Sequence, residues 1–174
     1  MSDTATAPEG LEPAVRRLID IEAIRDLTAK ITWATDTMDR AAAWSHWADQ
    51  EDIVFDLSAL GGKLQRFEGR DAVRKFYEGS DNPWLTWHPA YELHLIANHI
   101  IDVDGDRATC RYASLGYLRN AEGKPFLNGI QYDYEFVRTS DGWRVVSRSQ
   151  NWVVPPEDRM EHCPPPTPTG LESV

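Results

Sequence analysis

Apolar positions along the chain change their spacing, and each change marks an element. Between Leu11 and Met38 they fall three or four residues apart: Ile21, Ile24, Leu27, Ile31, Ala34 and Met38 form one stripe, the pattern of an amphipathic helix. Thr37-Met38-Asp39 predicts a turn, and Arg40 to Ala48 a second short helix carrying Trp44 and Trp47. Ile53 to Leu57 reads as a short strand, Gly61-Gly62 as a turn, and Gly69 to Gly79 as a third helix with Val73, Phe76 and Tyr77 on one side. The rest of the chain predicts long strands over Tyr91–Val103, Arg107–Arg119, Asn128–Thr139 and Trp143–Val154. Turn signals separate them at Asp104-Gly105-Asp106, at Asn120 to Gly123 and at Asp141-Gly142.

Helices first and strands later predict an α+β fold. The expected architecture is a cone-like, strongly curved antiparallel sheet with the N-terminal helices packed on one face. A half-open cone of this kind encloses a space between sheet and helices, where ligands usually bind. Residues 1–10 are expected to be disordered, 11–154 to form the single domain, and 155–174 to be an extended Pro-rich tail containing "CPPPTPTG".

Composition narrows the classes. A chain of 174 residues, 41% hydrophobic and 26% charged, is sized for one soluble domain with its own core. A net charge of −10 with no local Lys/Arg cluster argues against nucleic acid and anionic membrane as partners. No run is long and apolar enough to span a membrane. The two cysteines, Cys110 and Cys163, lack a metal-ligand or redox spacing. With a polar N-terminus, reduced thiols imply a cytoplasmic protein.

The segment "WHPAYELHLIANHI" holds three of the five histidines, His88, His94 and His99. Strand ligands for one metal sit close together on one face, usually two residues apart. His88 and His94 share parity but are separated by about 20 Å of extended chain. His99 has the opposite parity and is expected to face away from both, and no Cys or paired carboxylate completes a ligand set. Neither a metal nor a cofactor is therefore expected. His88, just before Pro89, reads as a rim residue.

Helix, turn, strand and closing strand arrive in an order that, with "IEAIRDLTAKITWATDTMDRAAAWSHWA", "GRDAVRKFY", "HLIANHIIDVDGDRATCRY" and "QYDYEFVRTSDGWRVVSRS", resembles the SnoaL-like branch of the nuclear transport factor 2-like superfamily. The resemblance covers Ile21 to Trp152 and implies an α+β barrel. It does not choose a reaction, since the superfamily includes polyketide cyclases, ketosteroid isomerases, dehydratases, a dehydrochlorinase and binding modules. In motif the chain is most similar to scytalone dehydratase, bile-acid dehydratase and hexachlorocyclohexane dehydrochlorinase. These have an Asp ending the first helix and a His on the first long strand, and at least the latter two have an Arg on the last strand. The matching positions are Asp36, His94 and Arg148. Some relatives carry a Tyr or Lys five residues before the Asp; here that position is Ile31.

The resemblance thus implies a catalytic set of His94, Asp36 and Arg148. Asp36 would fix the tautomer of His94, His94 would act as general base, and Arg148 would stabilise developing negative charge. On a helical wheel Asp36 lies off the stripe of Ile24, Leu27 and Ile31, so it reaches the interior only if the chain turns there. A carboxylate at a helix C-terminus also meets the negative end of the dipole, which a hydrogen-bonding partner would relieve. Arg148 shares strand parity with Val146, Gln150 and Trp152, a mixed face suited to a pocket wall. Phe55, Tyr112, Tyr117, Tyr132 and Trp152 are candidates to line the space. Asp56 sits where ketosteroid isomerases carry their proton-shuttling carboxylate.

Trp33, Trp44, Trp47, Trp84 and Trp87 add aromatic surface that points to a hydrophobic cyclic or polycyclic substrate. The expected function is a cofactor-independent lyase, a dehydratase in the first instance. A cyclase or isomerase is the alternative, and a non-catalytic binding module is a further one. Relatives assemble through the sheet face, which implies a homo-oligomer, dimer or trimer.

Overall fold

A computed structural model describes residues 10–61, 65–79, 92–119 and 124–154. The two tails, His88, Trp84, Trp87 and the turn at Asn120 to Gly123 lie outside the described residues. The first helix, α1 (Leu11–Asp36), buries Ile24, Leu27, Ile31 and Ala34, the stripe expected from their spacing. It ends two residues before Met38 because Met38 adopts a left-handed backbone with φ 57°. The Asp39 N–H then returns to the Ala34 carbonyl at 2.8 Å. Asp39 caps the next helix, α2 (Arg40–Ser45), its carboxylate accepting from the Ala42 N–H at 3.0 Å. This helix stops short of Trp47, whose backbone instead bridges to Val145 in the sheet.

Two short strands follow, β1 (Val54–Asp56) and β2 (Arg66–Glu68), and then α3 (Arg70–Glu78), which buries Val73, Phe76 and Tyr77. The long strands are β3 (Glu92–Asp104), β4 (Arg107–Arg119), β5 (Pro125–Thr139) and β6 (Gly142–Val154). They form one six-stranded sheet in the order β2-β1-β6-β5-β4-β3, open at β2 and β3. It is mixed rather than wholly antiparallel: β1 lies parallel to β6, with Phe55 opposite Arg148. Only the hairpin-linked strands had turn signals, and a three-residue strand entering from a helix carries none that fixes its direction. β2 has a single apolar residue, Phe67, too little for an alternating pattern.

Strict alternation holds along β4, where Ala108, Cys110, Tyr112, Ser114, Gly116 and Leu118 are buried and their neighbours are not. It fails in β3. The register shifts between Ala97 and Ile100, and Asn98 has φ 59°, a bulge that inserts one residue and reverses parity beyond it. His99 is therefore turned inward, against expectation. It stacks on Tyr112 at 4.8 Å, and its Nε2 lies 3.2 Å from Thr28 Oγ1. From there a file of rings, Tyr112, Tyr132, Tyr134 and Phe136, runs along the inner face of the sheet.

The N-terminal half of α1 is fastened to the sheet by a buried carboxylate. Asp20 accepts both Arg138 guanidinium N–H groups at 2.7 Å and the Trp143 indole N–H at 3.3 Å. The Arg138 hydrogen bond holds the Asp20 carboxyl below its ordinary value. α1 is thereby set against β5 and β6 at one end and β3 at the other, and the second end carries Asp36. No helix among the described residues is long and apolar enough to cross a membrane.

Candidate active site

Asp36 and His94 meet where α1 ends over the sheet's edge strand. His94 Nδ1 lies 2.6 Å from Asp36 Oδ1, and the His94 backbone N–H donates to Asp36 Oδ2 at 3.0 Å. The second bond exists because β3 is an edge: an N–H not taken by β4 needs another acceptor. The helix-end carboxylate in turn gains two donors against the local dipole. Both side chains are enclosed, His94 at 3% and Asp36 at 6% exposure. With Nδ1 donating to Asp36, the ring's Nε2 is left with its lone pair and has no partner among the described residues.

The ring also depends on an absent side chain. Across β4, Gly116 lies opposite both His94 and Asn128. A Cβ there would overlap Asn128 Oδ1 and sit 3.3 Å from His94 Cδ2. Glycine lets the imidazole and the amide approach one another over the strand.

Arg148 lies on β6, 5% exposed, with no carboxylate pairing it among the described residues. Its guanidinium sits over rings instead: Phe55 at 4.9 Å, Tyr132 at 5.2 Å and Tyr134 at 5.5 Å. One terminal N–H reaches the Tyr77 hydroxyl at 3.4 Å, and Nε–H has no partner. Burial opposes the charge, and among the described residues only neutral hydroxyls and ring faces stand around the guanidinium to offset that cost. A buried cation faced by ring faces and hydroxyls is ready to receive negative charge.

A cavity of about 40 Å³ lies against Tyr77 and Arg148; Asp36 and His94 are not among the residues that line it. Its walls include Thr35 and Met38, on either side of Asp36, then Arg40 and Phe55, and at the far end Tyr77, Arg148 and Gln150. The inner face bears buried polar atoms with no partner: Ser114 Oγ, Asn128 Oδ1, Gln150 Oε1 and Arg148 Nε. Such atoms are rare in folded proteins and cluster where a ligand supplies the missing bonds. A ring-sized substrate requires the walls to part, and Met38 is the adaptable one.

Of the other expected lining residues, Phe55 lines the cavity and Tyr132 packs on Arg148. Tyr112 is in the ring file, its hydroxyl donating to Tyr134 at 3.4 Å. Trp152 is half-buried and donates to the Leu60 carbonyl at 3.2 Å. Ile31 is packed in the core of α1 and not on the cavity. Tyr117 is a correction: it points to the outer face, 45% exposed, because it lies an odd number of residues from Tyr112 on a regular strand. Trp33 is also outward, on the solvent side of α1. Asp56 accepts from Ser58 and Arg66, and these hold its carboxyl below the ordinary value, Ser58 foremost. It does not line the cavity. Among the described residues no cluster of His, Cys, Asp or Glu could hold a metal ion.

Sequence reasoning missed Tyr77, Gln150, Asn128, Ser114 and Gly116 as site residues. Gln150 shares the parity of Arg148, and Ser114 and Asn128 are polar at inward positions; each was a legible signal. Tyr77 was visible only as part of the apolar side of its helix.

Residues 16–149 match the SnoaL-like domain family. The chain belongs to that family. An uncharacterised Mycobacterium tuberculosis protein is 33% identical over 103 residues, which is 56% of this chain. The chain spans 62% of the length of that relative. Among solved structures, this SnoaL-like chain is similar to a proposed aromatic ring hydroxylase from Novosphingobium aromaticivorans, 27% identical, with TM-score 0.68 and coverage of 80% and 92% of the two chains. A proposed scytalone dehydratase from the same species is 20% identical, TM-score 0.65, covering 79% and 87%. Hexachlorocyclohexane dehydrochlorinase from Novosphingobium barchaimii is 18% identical, TM-score 0.67, covering 87% and 99%. The last two likenesses show the shared fold: helices packed on an open, strongly curved sheet.

Proposed function

We propose that this SnoaL-like protein is a lyase that removes a leaving group from a hydrophobic cyclic small molecule by proton abstraction at His94, and that it acts as a dehydratase. The observation that carries this reading is the double grip of Asp36 on His94, which fixes the ring and leaves Nε2 as the base. Asp36 holds the tautomer and supports the imidazolium once it forms. The substrate proton would come from a carbon made acidic by a neighbouring carbonyl. The C–H electron pair forms the new double bond, and the bond to the leaving group breaks. Arg148 supplies charge stabilisation at the carbonyl oxygen or the departing group from a site that excludes water. The names carried by neighbours of this fold, a dehydratase and a dehydrochlorinase, support an elimination.

The unpartnered amides favour hydroxyl over halide as the leaving group. As placed, each amide oxygen is an acceptor that only an O–H or N–H satisfies. Gln150 and Asn128 therefore fit an oxygenated substrate. The test is loss of water from a β-hydroxy ketone by wild type and by His94→Ala; equal rates would exclude His94 as base.

The functional unit is proposed to be a homo-oligomer assembled on the outer sheet face. Leu93, Leu95, Leu115, Leu127 and Val153 are exposed there, apolar side chains that a second copy would cover.

A further inference from the structure

We propose that Tyr77 is the acid that protonates the departing oxygen, replacing the donor that Ile31 cannot supply. This rests on the elimination proposed above. Ile31 is an alkyl side chain packed in the core, and on the cavity wall the phenol is supplied by α3 instead. Arg148 donates to the Tyr77 oxygen at 3.4 Å, so the hydroxyl's acceptor side is occupied by a cation. Its own proton has no acceptor among the described residues and is available to the cavity. The other buried phenols are differently placed. Tyr112 donates to Tyr134, and none of Tyr112, Tyr132 and Tyr134 lines the cavity.

The phenol is held firmly. Its ring stacks on Phe55 at 6.0 Å with 9° between planes, and Arg40 donates to the carbonyls of Tyr77 and Gly79 at 3.2 and 3.3 Å. Arg40 thereby neutralises the carbonyl end of the helix that carries the acid.

The step balances without a co-reactant. His94 Nε2 takes the proton next to the carbonyl, the C–H pair becomes the double bond, and the C–O bond breaks. The departing oxygen takes the Tyr77 proton and leaves as water, and Arg148 faces the resulting phenolate. The proton on His94 returns to Tyr77 through solvent, restoring both groups.

Tyr77→Phe distinguishes an acid from a structural ring, because an acid matters only when the leaving group needs a proton. The assay compares water loss from β-hydroxyindanone with acetate loss from its acetate ester, both yielding indenone. The expected result is a fall of about 10²–10⁴ in kcat for the hydroxy ketone and a change of less than about threefold for the ester. Equal losses on both substrates, or none on either, would overturn the assignment. His94→Ala run beside it separates the two proposals: it should slow both substrates. If His94→Ala slows both while Tyr77→Phe slows neither, the elimination stands and the acid lies elsewhere.

Discussion

Asp36 engages His94 twice, through the imidazole and through the main chain, so one carboxylate sets both the orientation of the ring and the place where the edge strand meets the first helix. Neither residue could be held by its own element. Asp36 is the last residue of α1, where the chain turns through Met38, and β3 is paired on one side alone.

Arg148 should show opposite effects on stability and activity. A buried guanidinium without a carboxylate partner is costly to the fold, and an apolar side chain of similar length often replaces one neutrally or with a gain of about 1–4 kcal/mol. Arg148→Met is expected to unfold at equal or higher urea concentration while losing about 10²–10³ in kcat. Parallel losses in both would assign Arg148 to structure.

Gly116→Ala tests the close approach of His94 and Asn128. The added methyl would overlap Asn128 Oδ1 and lie 2.7 Å from Leu118 Cδ1. The expected cost is about 1–3 kcal/mol of stability in urea denaturation. The elimination rate should fall at least about tenfold, since small misplacements of a catalytic group cost that much or more. Wild-type values for both would show that the strands adjust freely.

Acidification should weaken the fold through His99. Burial against α1, with Arg25 adding to it, lowers the His99 pKa from its ordinary 6.5. Above 6.5 both folded and unfolded chains hold it neutral, so its contribution is fully present. Below that, the unfolded chain takes up the proton first and stability is lost until pH reaches the folded pKa. His46, lowered chiefly by burial, adds in the same direction. His99→Phe keeps a ring on Tyr112 and should flatten the fall in stability between pH 6.5 and 5, measured by urea titration. An unchanged slope would assign the acid sensitivity to other groups.

The exposed outer face should bury itself against a second copy. Leu95 and Leu115 are register partners on β3 and β4. The wild type is expected to sediment as a dimer or trimer, and Leu95→Lys with Leu115→Lys as a monomer. A monomeric wild type at micromolar concentration would contradict the assembly.

Much of this architecture was legible in the sequence because it depends on local periodicity. The stripe Ile24, Leu27, Ile31 and Ala34 placed α1, and the turn signals placed three of the four long strands to within one residue, while β5 begins at Pro125, three residues before its expected start. What was not legible depends on contacts between distant segments. The direction of β1 is set by its pairing with β6, and three residues cannot encode that. His99 was assigned to the wrong face because the bulge at Asn98 looks in sequence like any other strand position. In the site, Asp36 and His94 were found by resemblance, whereas the helical wheel alone placed Asp36 off the buried stripe. Tyr77 escaped notice because an aromatic at helical spacing reads as core; only the fold shows its hydroxyl beside Arg148.

The most direct measurement of the central claim is mass spectrometry of β-hydroxyindanone incubated in D₂O with wild type, His94→Ala and Asp36→Asn. Proton abstraction by a His94 fixed by Asp36 predicts indenone formation, or deuterium uptake at the carbon beside the carbonyl, by the wild type. Each variant should be slower by about 10²–10⁴ with its circular dichroism unchanged. Wild-type rates in both variants would contradict it.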